Sequence, residues 1–195
     1  VINQRVDELL DLILTTTKSL PAREGKPFDI EKHNAAAARA CAESVVLLKN
    51  ENGMLPLKQG TRVAVIGEFA QKARYQGAGS SVVNPTKLEN AIDVIGNFGL
   101  DVAGFEAGYP RSGPGDPAMQ QKAVELAKKA DVVLLYIGLD EISESEGLDR
   151  SHMKLPQSQI DLLEAVAAVN ANVVAVMSAG AAVEMPWLSK GKAMV

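Results

Sequence analysis

The sequence has 195 residues, 47% of them hydrophobic, and a net charge of −4. That length and apolar fraction suffice for one full α/β domain with a sizeable core. The charge excludes an electrostatic footprint for nucleic acid or an anionic membrane, and no apolar run approaches the roughly 20 residues needed to span a bilayer.

Residues 1–20 predict an amphipathic helix, because Ile2, Val6, Leu9, Leu10, Ile13 and Leu14 recur at helical spacing. Arg5, Asp7, Glu8 and Asp11 run through that pattern, which is unlike a signal peptide. Pro21 is expected to end the helix, and residues 22–29, with Gly25 and Pro27, read as a linker. A second helix is expected over 29–49, with Asp29 as N-cap, an alanine-rich centre and Ala37, Cys41, Ser44, Val45 and Leu48 on an inward face. A turn-rich connection follows over 50–60.

Strands are expected at 61–67, 101–105, 131–139 and 172–178, with a fifth beginning at 192. Helices are expected between them at 88–96, 118–130 and 156–170, with Val124 and Leu126 facing the core. Strand alternating with helix predicts an α/β fold: a mostly parallel sheet with helices on both faces. No internal repeat is present. Val1 and the closing Ala193-Met194-Val195 point to a piece of a longer chain, with the sheet truncated at its C-terminal end. An open edge and exposed apolar surface near 173–176 and 193–195 are then expected.

Two loops attract attention. Gln76-Gly77-Ala78-Gly79-Ser80-Ser81 follows the first clear strand. It lacks the third glycine and the strand-end placement of a dinucleotide fingerprint, so a tight loop packed against a neighbouring domain is favoured over phosphate binding. The other loop follows residues 131–138, an unbroken apolar run that reads as a buried strand. It carries Glu141, Glu144, Glu146 and Asp149. Ligands of open α/β sheets sit at the carboxyl ends of strands, and glycoside cleavage needs one protonated and one ionised carboxyl group. A glutamate among like charges, or partly desolvated, has a raised pKa. Glu144 and Glu146 are two apart and share a side in an extended loop; Asp149 and Arg150 are placed to brace it by ion pairing. A solvated acidic loop is the plain alternative.

The remaining candidates read as structural. His33 suits a local role at a helix start, His152 suits one at the loop's rim, and Trp187 suits packing rather than sugar stacking. Nothing resembles a nucleophile elbow. The lone Cys41 makes no internal disulfide, and no Cys/His cluster has zinc spacing. Location stays open, with the cytoplasm favoured.

Several motifs in order are similar to a known family. They are Ser44-Val45-Val46-Leu47-Leu48-Lys49-Asn50, Leu55-Pro56-Leu57, Val63-Ala64-Val65-Ile66-Gly67, Gly77-Ala78-Gly79-Ser80-Ser81, Glu144-Ser145-Glu146-Gly147-Leu148-Asp149-Arg150 with Leu155-Pro156 and Gln159, and Glu184-Met185-Pro186-Trp187. Together they resemble the C-terminal α/β sandwich domain of glycoside hydrolase family three, the β-glucosidase and β-xylosidase family. The likeness assigns 29–195 to that domain, and 1–28 to the last helix of a preceding (β/α)8 barrel plus a linker.

The resemblance implies a retaining, exo-acting β-glycosidase with its site between barrel and sandwich. The barrel supplies an aspartate nucleophile and the sandwich a glutamate acid/base. On the Glu-Gly-x-Asp-Arg motif that glutamate is Glu146, with Glu144 as runner-up; Asp149 and Arg150 order the loop. No Ser-Asp-Trp-like segment supplies the nucleophile here. The implied substrate is a β-glucoside or short β-linked oligosaccharide, with no metal or organic cofactor. The implied partner is the barrel domain; the open edge expected from the truncation calls for that barrel, the missing C-terminal tail or a second copy of the chain in a homo-oligomer. A non-catalytic sugar- or protein-binding module is the competing class.

Overall fold

The structure, a computed structural model, describes residues 1–19, 25 and 27–195. The chain divides into two compact units, Val1–Glu43 and Ser44–Val195. The first holds α1 (Ile2–Ser19) and most of α2 (Ile30–Ser44). Asp29 caps α2, its carboxylate accepting the Lys32 N–H at 3.0 Å. Neither helix buries a residue, so the face of α2 expected to turn inward, with Ala37 and Cys41, is exposed. Pro21 and half of the expected linker lie outside the described residues. Among those residues no helix is long and apolar enough to cross a membrane.

The second helix stops at Ser44, short of the expected residue 49. Val45 and Val46 are β-branched and lose side-chain freedom in a helix. Backbone pairing takes over instead: the Leu48 N–H donates to the Met194 carbonyl at 2.9 Å, leading into strand β1 (Lys49–Asn50).

The second unit is built on one six-stranded sheet. Its other strands are β2 (Arg62–Ile66), β3 (Asp101–Glu106), β4 (Val132–Gly138), β5 (Val173–Ser178) and β6 (Ala193–Met194), in the order β1-β6-β5-β4-β2-β3. Every neighbouring pair is parallel except β1 with β6. The connections carry α3 (Glu68–Gln71), α4 (Ala91–Val94) with a 3-10 turn over Ile95–Phe98, α5 (Pro117–Ala127) and α6 (Gln157–Ala167). The expected helix at 88–96 is this broken pair, which ends at the left-handed Gly99. The result is the expected α/β sandwich.

Period-two alternation sorts the strands into two cores. Ala64, Ile66, Val133, Leu135, Ile137, Val173, Ala175 and Met194 pack with Leu126, Leu162, Leu163 and Val166 of α5 and α6. Val63, Val65, Val132, Leu134, Val174 and Ala193 pack with Ala70 and Ile95 on the other face. Leu162 is fully buried, so Leu162→Ala is expected to cost about 2–5 kcal/mol of stability, read by urea unfolding. A loss below about 1 kcal/mol would mean that the α6 interface is not part of the core.

The expected exposed edge is not found. Val173, Val174, Ala175, Ala193 and Met194 are buried and Val176 and Val195 half-buried, with β1 returning from earlier in the chain to pair antiparallel with β6. Lys49 pins that return, its ammonium donating to the carbonyls of Leu188 at 2.8 Å and Gly191 at 2.6 Å. Exposed apolar side chains lie instead at Val45, Val46, Leu47 and Leu48.

The strand order also locates a crevice. From β2 the chain moves outward to β3, then crosses back to place β4 on the other side of β2. Loops leaving the carboxyl ends of β2 and β4 therefore diverge in direction along the chain yet start side by side. Such a switch point is where open α/β sheets hold ligands.

Candidate active site

Both loops singled out in the sequence meet at this switch point. The acidic loop begins at Gly138, the last residue of β4. A Cβ there would lie 2.0 Å from the Ser178 carbonyl oxygen of β5, and φ is +154°, so only glycine fits. The Gly138 N–H donates to the Gln159 side chain of α6 at 2.9 Å, and Leu139 N–H donates to Ser178 at 2.9 Å. Asp140, buried, then turns the chain: its carboxylate accepts the Ser143 N–H at 2.7 Å, and its carbonyl accepts the Glu144 N–H at 3.2 Å.

A parallel bridge pairs Ser145 with Ala78. It brings the glycine-rich loop after β2 against the acidic loop after β4. Gly79 allows the approach: at φ +94° a Cβ would sit 2.7 Å from the Glu146 Cβ. Residues 76–81 are thus packed as expected, but against the acidic loop of the same unit rather than a neighbouring domain.

The loop's four acidic residues have separate fates. Glu141 forms a bidentate pair with Arg111, Nε donating at 3.0 Å and Nη2 closing the second contact. That guanidinium holds the Glu141 carboxyl below its ordinary pKa. Glu144 pairs with Arg74 at 2.6 Å, both side chains nearly buried at 12% and 8% exposure, and accepts the Gly180 N–H at 2.8 Å. Glu146 is exposed. Its carboxylate accepts the Ser80 N–H at 2.9 Å and the Ser80 hydroxyl. Asp149 is exposed and, among the described residues, takes part in no ion pair. The expected Asp149–Arg150 pair is replaced by an Arg150 guanidinium bond to the Ala182 carbonyl at 2.9 Å, which ties the loop to the segment after β5.

The expectation of a raised glutamate pKa is reversed for Glu146. Arg74 neutralises the like charge of Glu144, and at this exposed position desolvation is the smallest influence on Glu146. The two Ser80 donors favour the charged form and hold its pKa below the ordinary range. Ser80→Ala removes the hydroxyl, the larger cause, so the Glu146 pKa is expected to rise toward that of a free glutamate. A ¹³C NMR titration of the carboxyl carbon checks this; an unchanged or lower value would contradict it.

Arg74, Arg111 and Asp140 are absent from the sequence-derived candidates. A signal exists for the two arginines: Arg74 follows β2, which flanks the switch point, and Arg111 follows the neighbouring edge strand β3, so each leaves a strand's carboxyl end on the side where a cation can reach an acidic loop. His152 accepts the Lys154 N–H through Nδ1 at 3.3 Å, and lines a cavity of about 330 Å³ with Ile142, Leu148 and Arg150. Trp187 is 3% exposed and belongs to the core, which fits packing rather than sugar stacking. Among the described residues no cluster of three or more His, Cys, Asp or Glu side chains could hold a metal ion.

Comparison with known proteins matches residues 45–195 to the glycosyl hydrolase family 3 C-terminal domain. An exo-α-(1→6)-L-arabinopyranosidase of Bifidobacterium breve is 41% identical over 198 aligned positions, covering 96% of this chain and 26% of that protein. The thermostable β-glucosidase B of Acetivibrio thermocellus is 39% identical over 198 positions, covering 100% of this chain and 26% of that protein. Among solved structures, a family 3 β-glucosidase of Bifidobacterium adolescentis superposes with a TM-score of 0.86 at 42% identity, covering 95% of this chain and 27% of that one. The chain thus spans about a quarter of the length of these relatives.

Proposed function

The chain belongs to glycosyl hydrolase family 3, and on that premise we propose that it supplies the general acid/base of a retaining, exo-acting β-glycosidase. Glu146 is that residue, and a terminal β-glucoside is the substrate. The observation that carries the choice is the contrast between two glutamates. Glu144 is spent on Arg74 and Gly180 inside the protein, whereas Glu146 presents an exposed carboxylate held only by Ser80 at the switch-point crevice.

In the first half-reaction Glu146 protonates the departing glycosidic oxygen while a carboxylate of the partner barrel domain attacks the anomeric carbon. In the second, Glu146 takes a proton from water as that water displaces the sugar from the barrel carboxylate. The ionised state that Ser80 favours suits the second step. For the first, bound substrate and the barrel wall replace solvent around Glu146, and desolvation raises its pKa. The two carboxyl groups are expected about 5–5.5 Å apart, the spacing of retaining enzymes. The segment preceding the sandwich, with α1, is read as the end of that barrel.

A second sugar deserves a place because of the B. breve relative, named for acting on an L-arabinopyranoside. An α-L-arabinopyranoside carries an equatorial leaving group like a β-hexoside, so the same glutamate serves both.

Half of a carboxylate pair hydrolyses nothing. The purified 195-residue chain is therefore expected to show no turnover of an aryl β-glucoside, while the intact protein turns it over with retained anomeric configuration. Turnover by the 195-residue chain that disappears in Glu146→Gln would overturn this division of labour.

A further inference from the structure

We propose that Arg111 is a positioning residue for the loop that carries Glu146, a role that rests on the acid/base reading of Glu146. Arg111 stands just beyond β3, with its side chain only 16% exposed. Its guanidinium reaches three places at once. Nε and Nη2 grip Glu141 at the start of the acidic loop. Nη1 pairs with Glu68 of α3 and donates to the Lys72 carbonyl at 2.7 Å. The segments after β2, β3 and β4 are thereby locked to one planar cation.

The cation itself is fixed from below. Its Cζ lies 4.9 Å from the centroid of the Phe69 ring, a cation–π distance. Phe69 is buried and meets Tyr109 edge to face, ring centroids 6.1 Å apart. The Tyr109 hydroxyl donates to the Tyr136 carbonyl of β4 at 2.7 Å. A continuous path of contacts therefore runs from the sheet through Tyr109 and Phe69 to Arg111 and the loop.

Glu141 directly follows Asp140, whose carboxylate and carbonyl set the turn toward Glu144. Arg111 fixes the loop where it leaves the sheet, Arg74 fixes it at Glu144, and Ala78 meets it at Ser145. Released at Glu141, the loop keeps its far anchors and the Asp140 turn but loses the side-chain anchor that holds that turn against the segments after β2 and β3. Lysine keeps the charge but cannot chelate one carboxylate and reach a second.

The experiment uses the intact enzyme and aryl β-glucosides of graded leaving-group pKa. Misplaced by a fraction of an ångström, Glu146 protonates poorly, which matters only where the leaving group needs a proton. Arg111→Lys, and Glu141→Gln as the milder variant that spares the Glu68 pair, are expected to lower kcat/KM by up to about 100-fold for poor leaving groups. Dinitrophenyl glucoside should be nearly unaffected. Hydrogen exchange at the Glu144, Glu146 and Leu148 amides, bonded to Asp140, Ala78 and Ser145, should speed up while β4 amides stay protected. Equal losses for all leaving groups, or unchanged exchange in both variants, would overturn the positioning role. Glu146→Gln is run alongside. Leaving-group dependence there but not in the Arg111 and Glu141 variants removes the positioning role alone; its absence in Glu146→Gln removes the acid/base reading and the positioning role with it.

Discussion

Glu146→Gln in the intact enzyme is expected to lower kcat/KM for a glucoside with a poor leaving group by about 10²–10⁴-fold, the usual contribution of a positioned acid or base. Glutamine keeps the shape and the Ser80 contact but neither gives nor takes a proton. An activated aryl glucoside should still be cleaved from its aglycone, because its leaving group departs without protonation. Its glycosyl-enzyme then persists, since no base activates water, and both kcat and KM fall. Azide needs no deprotonation and should restore turnover. Loss of activity that azide leaves untouched, and that is equal for all leaving groups, would point to a structural fault rather than to proton transfer.

Arg74→Met is expected to destabilise the fold by about 3–5 kcal/mol, because it leaves the Glu144 carboxylate buried without its cation. Glu144 is 12% exposed and Arg74 8% exposed, so water cannot take over the lost partner as it would at the surface. The Gly180 N–H remains as a single donor. Removing both charges in Arg74→Met/Glu144→Leu should recover much of the loss, since a buried ion pair is often replaceable by apolar packing. Urea unfolding of the single and double variants reads both effects. A single-variant loss below about 1 kcal/mol would mean that Glu144 is solvated, and would weaken the case that it is structural.

Much of this architecture is legible in the sequence. The strands β2, β4 and β5 announce themselves as short, β-branched runs between helical stretches, and the buried run into Gly138 correctly predicts a loop at a strand's carboxyl end. What composition does not carry is pairing between distant segments. β1 is two residues long and exists because β6 offers it a partner, so local propensity extended α2 through it. The same holds at the site. Glu144 and Glu146 are alike in sequence, and only the loop after β2 distinguishes them, by placing Arg74 against one and Ser80 against the other. The motif likeness had already singled out Glu146; the geometry supplies a physical reason to prefer it.

The direction of the Glu146 pKa shows how far a sequence argument can mislead. Four acidic residues in nine positions suggest mutual repulsion and raised pKa values. Two of them are instead neutralised by arginines from elsewhere in the fold, and the remaining glutamate is left with hydrogen-bond donors and solvent. Two of the four acidic side chains thus hold the loop in place, and the exposed carboxylates of Glu146 and Asp149 are left without an arginine partner.

The most direct measurement is the product formed with azide and an activated β-glucoside by Glu146→Gln and by Glu144→Gln, each in the intact enzyme. The account predicts β-glucosyl azide from Glu146→Gln, because azide enters from the face that the acid/base has vacated, and none from Glu144→Gln. β-Glucosyl azide from Glu144→Gln, with Glu146→Gln hydrolysing poor and good substrates as the unmodified enzyme does, would contradict it.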